Sequence, residues 1–324
     1  MLGYHLKPSK ATVKALERNR EKNLDSVELH SDRLLEDALL AVEGDLANAV
    51  NKLPTRSGKL YDQMAAIKIK PALKNIMNAG FMGEMKKIVD GYGVMTVVTR
   101  SMLEKLGYNP LFDDADKTTI KALKLQSYQG FEDIANATLS RLNKEIFDAS
   151  ITNRSIIDMT DSIRREINGI YRQGFSDDAD SLLEFIANNR DDPAQEERVA
   201  RAIEELHKVH AKDVIGRNMR RYAGQMAHDG LMQFDSAYNK LKADEVGLNH
   251  YRYTGTSVRD SREWCVSHLN RIMSEEEIIN EWSNNSWGGK ATGSPFIVRG
   301  GYNCRHHWQP VDPEWFNDSE IDND

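Results

Sequence analysis

The sequence predicts a mainly α protein, with a long multi-helix N-terminal body and a small α+β domain behind it. Three observations carry that expectation. Apolar residues recur every three or four positions through most of residues 1–245, the period of a one-sided helix. Composition then shifts near residue 246, after which all five tryptophans and both cysteines occur. Beyond that point short alternating runs are interleaved with helix signals and turn residues. The expected organisation is an elongated helical body over 1–245, an α+β domain over 246–312 and an acidic flexible tail over 313–324.

In the body, Leu35, Leu39, Val42, Leu46 and Val50 fall on one helical stripe. Residues 118–149 repeat the pattern with Leu125, Tyr128, Phe131, Ala135, Leu139, Leu142 and Ile146. A further helix is expected over 193–215, where Pro193 suits a first turn and Val199, Ala202, Ile203, Leu206 and Val209 share a face. Breaks fall at LPTRSGK, GYNPLFDD and NRDDPAQ, each with the Gly, Pro, Asn or Asp that turns require. Roughly six to eight helices follow from these periods, with no convincing strand alternation among them.

In the tail, HYRYTGT (250–256) alternates and predicts a strand. Ser257 or Asp260 is placed to cap a short helix carrying Arg262, Cys265 and His268. Ser274 and Glu277 have capping-box spacing, so a second short helix starts there. The run PFIVRGGYNCRHHWQPV predicts a strand, a tight turn at Gly300–Gly301 and another strand that Pro310 ends.

The 324 residues, 40% hydrophobic and 29% charged, suit a soluble globular chain of about two domains. No run nears the roughly 18 apolar residues of a membrane span, so no membrane anchor is expected. The opening MLGYHLKPSKATVKALERNREK has no apolar core; it does not read as a secretory signal, and assembly in cytoplasm is expected. The net charge of −7 argues against a dedicated nucleic-acid binder. No Gly-rich phosphate loop, Ser elbow or paired acid–base motif occurs, and no enzymatic activity is expected.

Two short pairs carry the chemistry. Cys265 and His268 form C-x-x-H, and Cys304 and His306 form C-x-H. Two Cys and two His on separate elements are the ligand set of tetrahedral zinc, and a metal would staple a small domain. Three alternatives stay open. The cysteines can form a disulfide, which a reducing cytoplasm disfavours; they can be plain buried thiols; or Cys265 can be a nucleophile with His306 or His307 as its base. Strand alternation puts Cys304, His306 and Trp308 on one face and Arg305 and His307 on the other. His306 is therefore the expected ligand, Trp308 the expected cover, and Arg305 is free to pair with Asp260. Elsewhere, Glu204, His207 and His210 form E-x-x-H-x-x-H. A di-iron bundle needs a second such motif, which is missing, so a solvated helix face is expected.

At these residues the tail resembles the C-terminal domain of the minor head, or head morphogenesis, proteins of tailed bacteriophages, the Mu F-like family. Thr256, Asp260 and Arg262 stand where that family shows a Thr–Asp–x–Arg element before its first Cys. Gly301, Asn303, Cys304, Arg305 and His306, followed by Trp308, stand where it closes on a Cys-Arg-Cys or Cys-Arg-His element. Leu269-Asn270-Arg271 departs from the turn familiar after the first Cys. The resemblance covers about 65 residues, and the helical body matches in kind only. It implies a structural protein of the virion, present in several copies inside the head. The implied partners are the portal and the inner capsid wall, with weak contact to packaged DNA and ejection alongside it.

Overall fold

The computed structural model describes residues 7–169, 218–259 and 261–316, together with residues 185, 189, 193–195, 197–199, 201, 202 and 205. The Glu204, His207 and His210 cluster, Asp260 and the acidic tail beyond Phe316 lie outside the described residues. The chain is mainly α with a small α+β part near its C-terminal end. It divides into two compact units, one of residues 1–28, 89–125 and 228–324, the other of residues 29–88 and 126–227.

The second unit is helical. It takes the C-terminal part of α1 (Lys10–Asn51), then α2 (Gln63–Lys68), α3 (Lys70–Met77), most of α4 (Gly83–Gly91), most of α6 (Asp114–Thr152) and α7 (Ile156–Asn168). The α1 stripe is core: Leu39, Val42, Leu46 and Val50 have no measurable exposure. On α6 the buried stripe runs from Phe131 through Ala135, Leu139, Leu142 and Ile146, but Leu125 is 64% exposed. The periodicity that includes Leu125 therefore outruns the surface available to bury it. The break LPTRSGK holds a two-residue ribbon, β1 (Thr55–Arg56) against β2 (Lys59–Leu60), closed by Ser57 and Gly58 at positive φ. A turn with φ > 0 at both central residues matches the twist of a hairpin. The ribbon continues to the cap of α7, where Ile156 N donates to Gly58 O and the Ser155 hydroxyl accepts from Asp158 N. Of the predicted 193–215 helix, Val199 and Ala202 are buried, while Ile203, Leu206 and Val209 are outside the described residues.

The first unit holds the sheet. Strands β4 (Ile272–Ser274), β3 (His250–Gly255) and β5 (His306–Val311) lie antiparallel in that order. The register sets Tyr253 opposite Trp308 and Thr254 opposite His307. Around them stand α5 (Val94–Lys105), α8 (Met219–Glu245), whose residues from His228 belong here, and three short helices. These are α9 (Glu263–His268), α10 (Glu275–Asn284) and α11 (Pro295–Val298). One core joins Tyr251, Tyr253, Trp308 and Val311 of the sheet to Val13 of α1, Met102 and Leu103 of α5 and Ala243 of α8. The composition change at residue 246 thus does not coincide with the division into compact units.

Local signals fare unevenly in this unit. The Ser274–Glu277 capping box forms in full at the start of α10. The start of α9 differs from expectation, because Arg262 holds the N-cap position without a side-chain cap, and Ser257 is exposed upstream. The run PFIV is a helical turn, not a strand: Pro295 sits at its first position, where the fixed φ of proline favours helix over continuation of a sheet. Nor does Pro310 end the last strand. It pairs with Tyr251 inside β5, an edge strand on which a missing N–H is tolerated. No helix among the described residues is long and apolar enough to cross a membrane.

Candidate metal centre

The site is built by one helix, one turn and one strand. Helix α9 presents Cys265, the turn before β5 presents Cys304, and the first residue of β5 presents His306. Cys265 Sγ and Cys304 Sγ lie 3.9 Å apart, and Cys304 Sγ lies 3.6 Å from His306 Nδ1. The three ligand atoms fall within 4.8 Å of one another, and all three residues are buried. Both cysteines are free thiols. Three of the four expected ligands therefore come together. His268 does not join them: its Nε2 meets Glu281 at 2.5 Å and its Nδ1 meets the Trp264 carbonyl at 2.6 Å. Both of its ring nitrogens are thereby engaged away from the sulfurs.

The turn depends on two glycines in different ways. Gly301 has φ +106°, and a Cβ there would lie 2.0 Å from the carbonyl oxygen of Gly289. Only glycine fits such a position. Gly300 faces the site itself, since a Cβ would meet Cys265 Sγ at 2.3 Å, Cys304 Sγ at 2.9 Å and Tyr253 Oη at 3.2 Å. Its missing side chain lets the two sulfurs pack directly against the backbone.

Arg262 and Asn303 act as fasteners. Arg262 donates from Nε to Gly288 O at 3.0 Å and from Nη2 to Tyr302 O at 2.6 Å, tying the loop before α11 to the turn. Asn303, at φ +54°, donates its N–H to Asp229 of α8 at 2.9 Å. Thr256 is exposed, and so is Arg305. Alternation is as expected beyond the turn. His306 and Trp308 share the face of Tyr253, with ring centroids 5.4 and 4.5 Å from it, while His307 points away and meets Thr254 Oγ1 at 3.0 Å. Trp308 is buried and meets Trp264 edge to face, with ring centroids 6.4 Å apart.

Electrostatics separate the two thiols. Cys304 accepts a hydrogen bond from the Cys265 thiol and sits beside His306, so its own thiol is held well below the ordinary range. That same bond, with burial, pushes the Cys265 thiol up. Sequence reasoning missed two of the supporting residues. His228 of α8 bridges Glu28 (2.8 Å) and the Cys304 carbonyl (3.3 Å). Both partners are acceptors, so both ring nitrogens donate. Tyr253 places its hydroxyl 3.5 Å from each sulfur. The signal for Tyr253 was present in the alternation of HYRYTGT, which sets Tyr251 and Tyr253 on one face.

Three buried N and S ligands at these separations suit a thiophilic divalent cation of the zinc type. Comparison of the chain with family models, curated proteins and solved structures returns no match.

Proposed function

We propose that this chain is a structural minor head protein of a tailed bacteriophage, whose C-terminal α+β part is fastened by a zinc ion on Cys265, Cys304 and His306. One observation carries the reading. Six of the residues on which the Mu F-like resemblance rests serve the build of one small closed knot: Arg262 clamps two loops, Gly301 permits the turn, Asn303 anchors it, and Cys265, Cys304 and His306 converge at its centre. Residues used this way suit a scaffold that must survive assembly.

The alternative of a thiol hydrolase draws less support. A catalytic cysteine needs partial exposure and a lowered pKa, whereas Cys265 is 1% exposed with its thiol pushed up. In the proposed role the protein sits inside the head and docks on the portal or the inner capsid wall. Its negative net charge limits adhesion to packaged DNA.

Mass spectrometry of purified particles tests this. The chain is expected in intact virions at a fixed copy number and to be retained after external protease treatment. Finding it only in the free pool of infected cells would remove the structural role.

A further inference from the structure

Tyr253 stands at the centre of the first unit, with no exposed surface. Its ring lies 5.4 Å from that of His306 at an interplanar angle of 21°. Its hydroxyl bonds Cys265 Sγ and Cys304 Sγ, both at 3.5 Å. Sulfur is a weak hydrogen-bond partner, and a phenol buried with weak partners carries a desolvation cost. The arrangement has a clear use if the hydroxyl belongs to the ligand set.

We infer that Tyr253 is the fourth ligand of the centre, binding as a phenolate to a tetrahedral divalent cation already held by Cys265, Cys304 and His306. The inference rests on the metal-site reading above. Zinc bonds of about 2.3 Å to S, 2.0–2.1 Å to N and 2.0–2.2 Å to O give tetrahedral edges of roughly 3.8 Å for S···S and roughly 3.6 Å for both S···N and S···O. The corresponding separations are 3.9 Å between the sulfurs, 3.6 Å from Cys304 Sγ to His306 Nδ1, and 3.5 Å from each sulfur to Tyr253 Oη. His268, the fourth ligand that spacing suggests, is held by Glu281 and the Trp264 carbonyl. Both sulfurs and this hydroxyl pack against Gly300 together.

Charge is consistent with the set. Two thiolates, a phenolate and a neutral imidazole around a dication leave one negative charge. The Arg299 guanidinium is buried in the same unit. Uptake of the cation displaces to solvent the protons that Tyr253 and the thiols carry.

Ultraviolet difference spectroscopy on the full chain separates the possibilities, because tyrosinate absorbs where zinc and neutral tyrosine do not. Zinc is removed from the purified protein with a chelator and then restored, for wild type and for Tyr253→Phe. The expected wild-type result is one zinc per chain and a tyrosinate band that disappears and returns with the metal. Tyr253→Phe keeps three ligands and its ring packing; it is expected to lack the band and to bind zinc more weakly than the roughly 10- to 100-fold loss typical of an outer-shell change. One zinc per wild-type chain with no tyrosinate band, or a band that survives in Tyr253→Phe, overturns the role of Tyr253 and leaves the metal site standing. A wild-type chain that binds no zinc overturns the metal site itself.

Discussion

Replacing Gly300 with alanine adds one methyl group at the most crowded point of the site. The new Cβ would lie 2.3 Å from Cys265 Sγ, 2.9 Å from Cys304 Sγ and 3.2 Å from Tyr253 Oη. All three neighbours are buried, at 1%, 2% and 0% exposure. A sulfur sits one bond from its own Cβ, so it cannot swing aside as the end of a long chain does. Overpacking of this kind costs about 1–3 kcal/mol, and the upper end is expected here because no neighbour is flexible. For a unit of this size that lowers the melting temperature by roughly 6–12 °C. Intrinsic fluorescence is the natural assay, since all five tryptophans lie between residues 264 and 315. Gly288→Ala is the control: nothing lies within 4 Å of a Cβ there, and it should fall within about 0.5 kcal/mol of wild type. A Gly300→Ala melting curve that superimposes on this control would refute the claim that the two sulfurs close on Gly300.

Two further outcomes follow from buried charges in the same unit. Burial raises the Glu17 carboxyl to about 7 against the opposing pull of Arg252, which it meets at 2.7 Å. A carboxyl raised in the fold is stabilising below its unfolded pKa, and that contribution is lost as pH rises from about 4.5 to about 7. Between pH 5 and pH 8, urea denaturation should therefore show Glu17→Gln gaining on wild type by up to roughly 3 kcal/mol; parallel pH profiles would contradict this. Lys242, 2% exposed, donates to Leu111 O, Asp116 and Glu245 at 2.5–2.7 Å. Lys242→Met leaves the buried Asp116 without its cation and is expected to cost about 3–5 kcal/mol in the same assay, whereas a loss under 1 kcal/mol would show the triad to be dispensable.

Much of this fold is legible in the sequence because helical periods are local. Leu39, Val42, Leu46 and Val50 announce a buried stripe without reference to any partner. The capping box of α10 is equally local. What escapes has two sources: a local proline signal that the side-chain pattern overrides, and contacts distant in sequence. PFIV reads as a strand by its side chains, yet Pro295 at its start makes it a turn of helix. The core that joins Val13, Met102 and Ala243 to the sheet brings together three separated stretches, and no composition boundary can reveal that. The site divides in the same way. Strand alternation picks out His306 over His307 correctly, because the period of a strand is two. Spacing alone enlists His268, and fails because Glu281, thirteen residues on, captures its ring. Tyr253 is overlooked because ligand counting looks to Cys and His first.

The most direct test of the account is the metal content of the full chain, purified without added metal, read together with its tryptophan-reported melting curve before and after a strong chelator. The account predicts one zinc per chain, and a melting temperature that falls on chelation and returns when zinc is restored, since metal affinity at a structural site is folding energy. A chain that carries no metal, and whose melting curve neither chelator nor zinc moves, would contradict it.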